Sequence, residues 1–277
     1  MPTSPAVERW PTTFIVDESR HEMPDPVVVE EPLEIWLAGP RGQNPSRLAV
    51  TLRSPGHDPE LAAGLLYAEG IVDTAADIAA VVAPTAAHEG GSVGRLEVRL
   101  AGASPLSGGT GRPFLSTSAC GACGKEALDL AFATGFPPLP PGPRLTAALL
   151  QSLPERMREA QAVFAQTGGL HAAGLFSPAG ELLVLREDVG RHNAVDKVVG
   201  SLLLAGRLPA GETVLAVSGR AGFELVQKAL RAGIPALAAV GAPSSLALRL
   251  AARAGMTLAG FVRPGRCNLY SGAERVA

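Results

Sequence analysis

Apolar and polar residues alternate along Leu33-Glu-Ile-Trp-Leu37, Arg47-Leu-Ala-Val-Thr-Leu-Arg53 and Arg95-Leu-Glu-Val-Arg-Leu100, which predicts half-buried strands. Between the second and third, Asp58-Pro-Glu-Leu-Ala-Ala-Gly-Leu-Leu-Tyr-Ala-Glu69 opens with an N-cap Asp and a Pro and stops at Gly70, the marks of a helix. Thr146 can cap a helix through Leu153, and Pro154 starts another that ends at Gly168-Gly169. His171–Phe176 and Glu181–Leu185 flank the turn Ser177-Pro-Ala-Gly180 and read as a hairpin. The polar run Arg186–Asn193 leads into a helix over Ala194–Leu204. Strands over Thr213–Val217, Ile234–Val240 and Thr257–Val262 then alternate with helices over Phe223–Arg231 and Ser244–Arg253, with Gly233 and Gly255 after the helix ends. A strand–helix alternation of this kind predicts an α/β fold with parallel strands and right-handed crossovers.

The chain divides accordingly. Residues 1–30, rich in Pro and charge, read as a tail or edge segment. Residues 31–115 form a small α+β subdomain, in which Gly64 and His57 are structural or surface residues. Residues 116–145 hold a Cys-x-x-Cys loop, a short helix and a proline-rich linker, and 146–277 form the C-terminal α/β, cofactor-binding domain.

Composition narrows the function. Of 277 residues, 47% are hydrophobic and 18% charged, which suits a well-cored globular protein. A net charge of −2 and 4% aromatics imply no general affinity for nucleic acid. The N-terminus lacks a signal pattern, and no charge-free apolar run approaches a membrane span, so a soluble cytoplasmic protein is expected. Three cysteines do not make a disulfide framework.

Two of the cysteines lie in Ser116-Thr-Ser-Ala-Cys120-Gly-Ala-Cys123-Gly-Lys125, between glycine-rich and proline-rich stretches. The helical pattern Glu126–Phe132 follows at once. A thiol near a helix start and beside Lys125 is favoured as a thiolate, on a loop free to move. A structural zinc needs four ligands, and Cys267, His171 and His192 stand at no recognisable ligand spacing. A dithiol redox motif would follow a strand directly, and here a Gly/Pro-rich stretch leads in. A nucleophile that takes and gives a group at sulfur remains.

In open α/β sheets ligands bind beyond the carboxyl ends of the strands. Those ends carry Ser218-Gly-Arg220, Gly241-Ala-Pro-Ser-Ser245 and Arg263-Pro-Gly-Arg-Cys-Asn268. Backbone N–H groups and guanidinium forks suit phosphate. Neither a Gly-x-Gly-x-x-Gly nor a Walker pattern is present, so an ordinary dinucleotide or NTPase site is not supported.

Several blocks together resemble one family: Pro59–Ile71, Cys120-Gly-Ala-Cys123-Gly, Gly169-Leu-His-Ala-Ala173, Glu187-Asp-Val-Gly-Arg-His-Asn-Ala-Val-Asp-Lys197, Ser218–Glu224 and Phe261-Val-Arg-Pro-Gly-Arg266. The chain is similar over Leu33–Tyr270 to the formate dehydrogenase accessory sulfurtransferases (FdhD). The resemblance implies a sulfurtransferase loaded with persulfide sulfur by a cysteine desulfurase. It would pass that sulfur to the molybdenum cofactor, bis-molybdopterin guanine dinucleotide, for formate dehydrogenase. It implies a C-terminal three-layer α/β/α domain like cytidine deaminase but without zinc, no tightly bound metal, and a homodimer. Cys120 would carry the persulfide, with Cys123 assisting. Cofactor binding would fall on Phe261, Val262, Arg263, Pro264, Gly265 and Arg266, joined by Ser218 and Arg220 from the strand-end reading. His171, Asp188, Arg191 and His192 suit either catalysis or the pinning of a loop, and Cys267 fills space. A non-catalytic cofactor-binding chaperone and a dithiol redox protein stay open as alternatives.

Overall fold

The computed structural model describes residues 4–82, 93–102 and 139–277. Among these, two sheets and a ribbon organise the chain. Strands β3 (Glu31–Ala38), β4 (Ser46–Arg53), β5 (Ile78–Val82) and β6 (Gly94–Leu100) form a sheet of order β4-β3-β6-β5, with β3 and β6 parallel. Helix α1 (Asp58–Ala68) connects β4 to the far side of this sheet. It begins at Asp58 with His57 as N-cap, because the Asp58 carboxylate is held 3.0 Å from Arg53 Nε instead of capping the helix.

The larger sheet is mixed. β7 (His171–Phe176), β8 (Leu182–Asp188), β9 (Val214–Val217), β10 (Ala236–Ala239), β11 (Thr257–Arg263) and β12 (Arg266–Ser271) stand in the order β12-β11-β10-β9-β7-β8. Only β9, β10 and β11 are parallel; β7, β8 and β12 run antiparallel to their neighbours. Alternation decides which core each residue enters. Phe176, Val214, Ala216, Ala236 and Ala238 pack with Leu150, Leu153 and Met157 of helix α2 (Ala147–Ala160). Leu175, Leu215, Val217 and Leu237 face the opposite core. That core is shared by α1 and the helices α4 (Arg191–Leu204), α5 (Phe223–Arg231) and α6 (Ser245–Ala254). The sheet thus has helices on both faces, in agreement with the α/β expectation.

Four local readings change. Val7–Val16 (β1) and Ser19–Val28 (β2) pair as an antiparallel ribbon, where a tail or edge segment was expected. Pro154 lies inside α2 and does not start a helix. Buried Leu150, Leu153 and Met157 carry α2 across the missing N–H, and the break comes at Gln161, before α3 (Ala162–Thr167). The polar run Arg186–Asn193 is divided between the end of β8 and the start of α4. The end of the expected linker is tied down, since Leu145 is buried and bridges Val276 of the C-terminal segment.

Helices α1 and α4 are in close contact because Gly64 and Gly200 face each other's backbones. Lys228 of α5 reaches Asp196 of α4 at 2.5 Å. Burial pushes the Asp196 carboxyl up to about 6 despite that ammonium. No helix among the described residues is long and apolar enough to cross a membrane.

Candidate functional site

Two of the three strand-end loops lie side by side. Gly241 N donates to Gly219 O at 3.0 Å, Ala221 N to Ala242 O at 3.1 Å and Ser244 N to Ala221 O at 3.0 Å. Gly241 is needed here: a Cβ would stand 3.0 Å from both Arg220 Cα and Gly219 O. Phe261 N bonds Gly241 O at 3.1 Å and joins the third strand to the pair.

The segment Arg263–Asn268, expected as a loop, is a tight hairpin with Pro264 and Gly265 at its turn. Arg263 and Arg266 are cross-strand partners, exposed, as is Arg220. None of the three is paired with a carboxylate among the described residues. Like charges opposite each other are unfavourable in a bare sheet, and an anion between them reverses the sign. The register shifts between Gly260 and Arg263, and Phe261 takes a left-handed φ of 51°. This bulge turns the Phe261 ring outward, 43% exposed, while Val262 stays in the core.

On the neighbouring strands, Ser218 Oγ accepts from Ala172 N at 2.9 Å and lies 3.3 Å from His171 Nδ1. The His171 ring and the Arg191 side chain lie beside Gly219. Burial and the Arg191 charge lower the His171 pKa, with Asp188 pulling the other way. His192 is held down to about 4 by burial and then by Arg191, Lys228 and His171. Glu224 Oε2 lies 3.1 Å from His192 Nε2.

Both shifts have the same sign. Folded pKa values lie below the unfolded value of about 6.5, so unfolding takes up protons as pH falls below it. The stability these rings contribute is complete above about pH 6.5 and is lost progressively toward pH 4. Asp196, with its raised carboxyl, contributes with the opposite sign over the same window, so the His192 share is read as the difference between wild type and a variant. In urea denaturation between about pH 6.5 and pH 4, His192→Gln should lose less stability with acidity than wild type, by at most about 3 kcal/mol and less because the ring is partly exposed. A pH dependence identical to wild type would mean that the His192 ring is not held down by the fold.

The Glu187–Lys197 block is built into the architecture. Asp188 is fully buried and meets Lys197 Nζ at 2.6 Å, Gly190 N at 2.8 Å and Asn193 Nδ2 at 3.0 Å. Lys197 and Asn193 also donate to Ser54 O and Leu52 O at the end of β4, tying the two sheets together. Glu187 caps α3, accepting from Val163 N at 3.0 Å and Phe164 N at 2.8 Å. Of the residues left between catalysis and structure, Asp188 has its oxygens committed to the fold, whereas His171 borders Ser218 and Arg191 borders Gly219.

Beyond Ser218, a cleft of about 590 Å³ runs along the α2 side of the sheet edge. Val240, His171 and Ser218 border it from the sheet, and Met157, Gln161 and Phe164 from the helices. Sequence reasoning missed these helix residues, because the expected break at Pro154 separated Met157 from its own stripe. Cys120 and Cys123 lie outside the described residues. Cys267 is half-buried on β12, against the core under α2.

Residues 28–277 match the model of the FdhD/NarQ family. The chain is 50% identical to the sulfur carrier protein FdhD of Streptomyces avermitilis, over 98% of this chain and 95% of that protein. It is 48% identical to the sulfur carrier protein FdhD of Streptomyces coelicolor, again over 98% and 95%. A crystal structure assigned to a formate dehydrogenase accessory protein from Desulfotalea psychrophila superposes with a TM-score of 0.75 at 30% identity, covering 99% of this chain and all of that one. This is an α/β protein of the accessory-factor class, as the resemblance implies. The chain belongs to the FdhD/NarQ family.

Proposed function

We propose that this protein is a cytoplasmic, homodimeric sulfurtransferase that carries sulfur as a persulfide on Cys120. It takes the sulfur from a cysteine desulfurase and delivers it to bis-molybdopterin guanine dinucleotide for formate dehydrogenase. The Cys120 thiolate attacks the terminal sulfur of the desulfurase persulfide, and the desulfurase thiolate leaves, so loading involves no net redox change. On delivery, attack by the Cys123 thiolate on the Cys120 sulfur releases the carried atom as sulfide. The resulting disulfide is returned to two thiols by an external thiol reductant.

The observation that carries this reading is the sheet edge. Exposed Phe261 stands beside Arg263 and Arg266, next to the hydrogen-bonded loops at Ser218–Arg220 and Gly241–Ser245. A face for an aromatic base beside positive charge suits a nucleotide diphosphate. The layering of helices about the larger sheet fits a deaminase-like framework.

Intact-mass spectrometry after incubation with a desulfurase tests the proposal. Wild type should gain one sulfur atom, Cys120→Ala should gain none while remaining folded, and Cys123→Ala should load but release slowly. A fully loaded Cys120→Ala would refute the assignment. Absence of loading in wild type would favour a cofactor-binding chaperone.

A further inference from the structure

The β1–β2 ribbon stands apart from both larger sheets. Its two strands of ten residues extend about 33 Å and pair only with each other. The ribbon is rooted beside the candidate site. A Cβ at Gly169 would stand 2.9 Å from Val28 Cγ1, and Gly169 leads through Leu170 to His171 in the cleft wall. Ile15, Val16, Trp10 and Met23 are the four most exposed large apolar side chains among the described residues, at 54% to 65%.

Register sorts the ribbon into two unlike faces. Trp10, Phe14 and Val16 share one face with Met23, the partner of Thr12, and with Asp25, the partner of Trp10. Glu8 stands on that face too, one strand repeat before Trp10. Val28 belongs to the other face, so the face with Trp10 is turned away from the root. An indole between two carboxylates suits a guanidinium or an ammonium, and Phe14, Val16 and Met23 offer an apolar surface beside it. The whole ribbon carries five carboxylates, on Glu8, Asp17, Glu18, Glu22 and Asp25, against the two guanidiniums of Arg9 and Arg20. None of these makes an ion pair among the described residues. That excess repels anionic membranes and nucleic acid. Pro11, Pro24 and Pro26 deny an added strand a continuous edge. What fits the face is an apolar protein segment that bears Arg or Lys.

We infer that the β1–β2 ribbon is a docking arm for such a basic, apolar segment on the enzyme that receives the cofactor. The inference rests on the sulfurtransferase reading and names a contact which that reading leaves open. The root decides between partners. Whatever the arm holds is brought beside His171, Ser218 and the Gly241 loop, the edge at which the cofactor is placed, and the receiving enzyme must come there to collect it.

Full-length protein titrated with purified apo-formate dehydrogenase at low and high salt, by biolayer interferometry, tests this. Wild type should bind, and more weakly as salt rises, as attraction between opposite charges does. Trp10→Ser should weaken binding about tenfold or more, as loss of a central aromatic anchor does. Glu8→Lys/Asp25→Lys, which keeps the apolar face, should weaken it by a similar factor and abolish the salt dependence. Both variants should keep the wild-type urea midpoint, sedimentation mass and rate of persulfide loading by a desulfurase. Absence of binding by wild type would overturn the inference, as would undiminished binding in both variants. A lowered midpoint would show the face packed by its own chain, a changed mass would make it a contact between copies, and slowed loading would assign it to the sulfur donor; each overturns the inference as well. Normal loading of wild type with no binding of the apoenzyme overturns the docking arm alone. Failed loading of wild type overturns the sulfur-carrier reading whatever the arm binds.

Discussion

Gly64→Ala is expected to lose about 2 kcal/mol of stability or more. A Cβ at position 64 would stand 2.6 Å from the Asp196 carbonyl carbon and closer still to its oxygen. The obstruction is backbone of α4, which no rotamer change can clear. Alanine should otherwise help a helix interior by about 1 kcal/mol, whereas overpacking of this kind costs about 3 kcal/mol or more when backbones must separate. The clash wins. Gly200→Ala meets the reciprocal obstacle, 2.7 Å from the Glu60 carbonyl carbon and 2.8 Å from Gly64 N. Either substitution forces the same two helices apart, so the double variant should lose less than the sum of the two. Gly102→Ala, with open space at its Cβ, should be neutral within about 0.5 kcal/mol. Urea denaturation of the four variants reads these differences directly. A wild-type midpoint for Gly64→Ala would show that the helices do not approach so closely.

That close approach illustrates what the chain's pattern discloses and what it hides. Strands β3, β4 and β6 follow from local alternation, whereas α1 and β7, buried almost throughout, follow from the punctuation around them, Pro59 and Gly70 for the helix and Ser177-Pro-Ala-Gly180 for the strand. The β1–β2 ribbon does not, because Pro11, Pro24 and Pro26 interrupt it. Proline is tolerated where a strand has an unpaired edge, and in this two-stranded ribbon Pro11 and Pro24 even face each other. Strand β12 escaped because Arg266-Cys-Asn-Leu-Tyr-Ser271 has weak alternation and owes its place to pairing with β11.

The sheet-edge residues were legible for a definite reason. Glycine and serine after an apolar run mark a strand end, and parallel strands bring such ends together. Ser218, Gly241 and Phe261 meet on that logic. Gln161 could not be found this way. Its burial depends on a helix corner held by Glu187, distant in sequence, and on α2 continuing through Pro154. The Glu187–Lys197 block stood out by resemblance, but its chemistry read ambiguously. Only the positions of Ser54, Asn193 and Lys197 around Asp188 reveal a knot between two sheets.

Lys197→Met should be among the most destabilising single changes in the protein. Lys197 is 1% exposed and Asp188 0%. The ammonium pairs with the Asp188 carboxylate at 2.6 Å and donates to Ser54 O at 3.0 Å. Methionine fills a similar volume but leaves the carboxylate buried without its countercharge. Breaking a buried pair from one side costs about 3–5 kcal/mol, a large fraction of the roughly 5–15 kcal/mol that holds a domain folded. Asp188→Asn alone strands the ammonium instead. The double variant Lys197→Met/Asp188→Asn removes both charges, and its amide oxygen can still accept from Gly190 N and Asn193 Nδ2, the partners of Asp188 Oδ1. It should consequently be more stable than Lys197→Met, with a favourable coupling of at least about 1 kcal/mol in the double-mutant cycle. Chemical denaturation supplies all four stabilities. A second readout separates structure from chemistry: sulfur loading per folded molecule should be unchanged in the double variant if Asp188 and Lys197 only hold the two sheets together. A loss of loading without loss of stability would place the pair in the reaction itself.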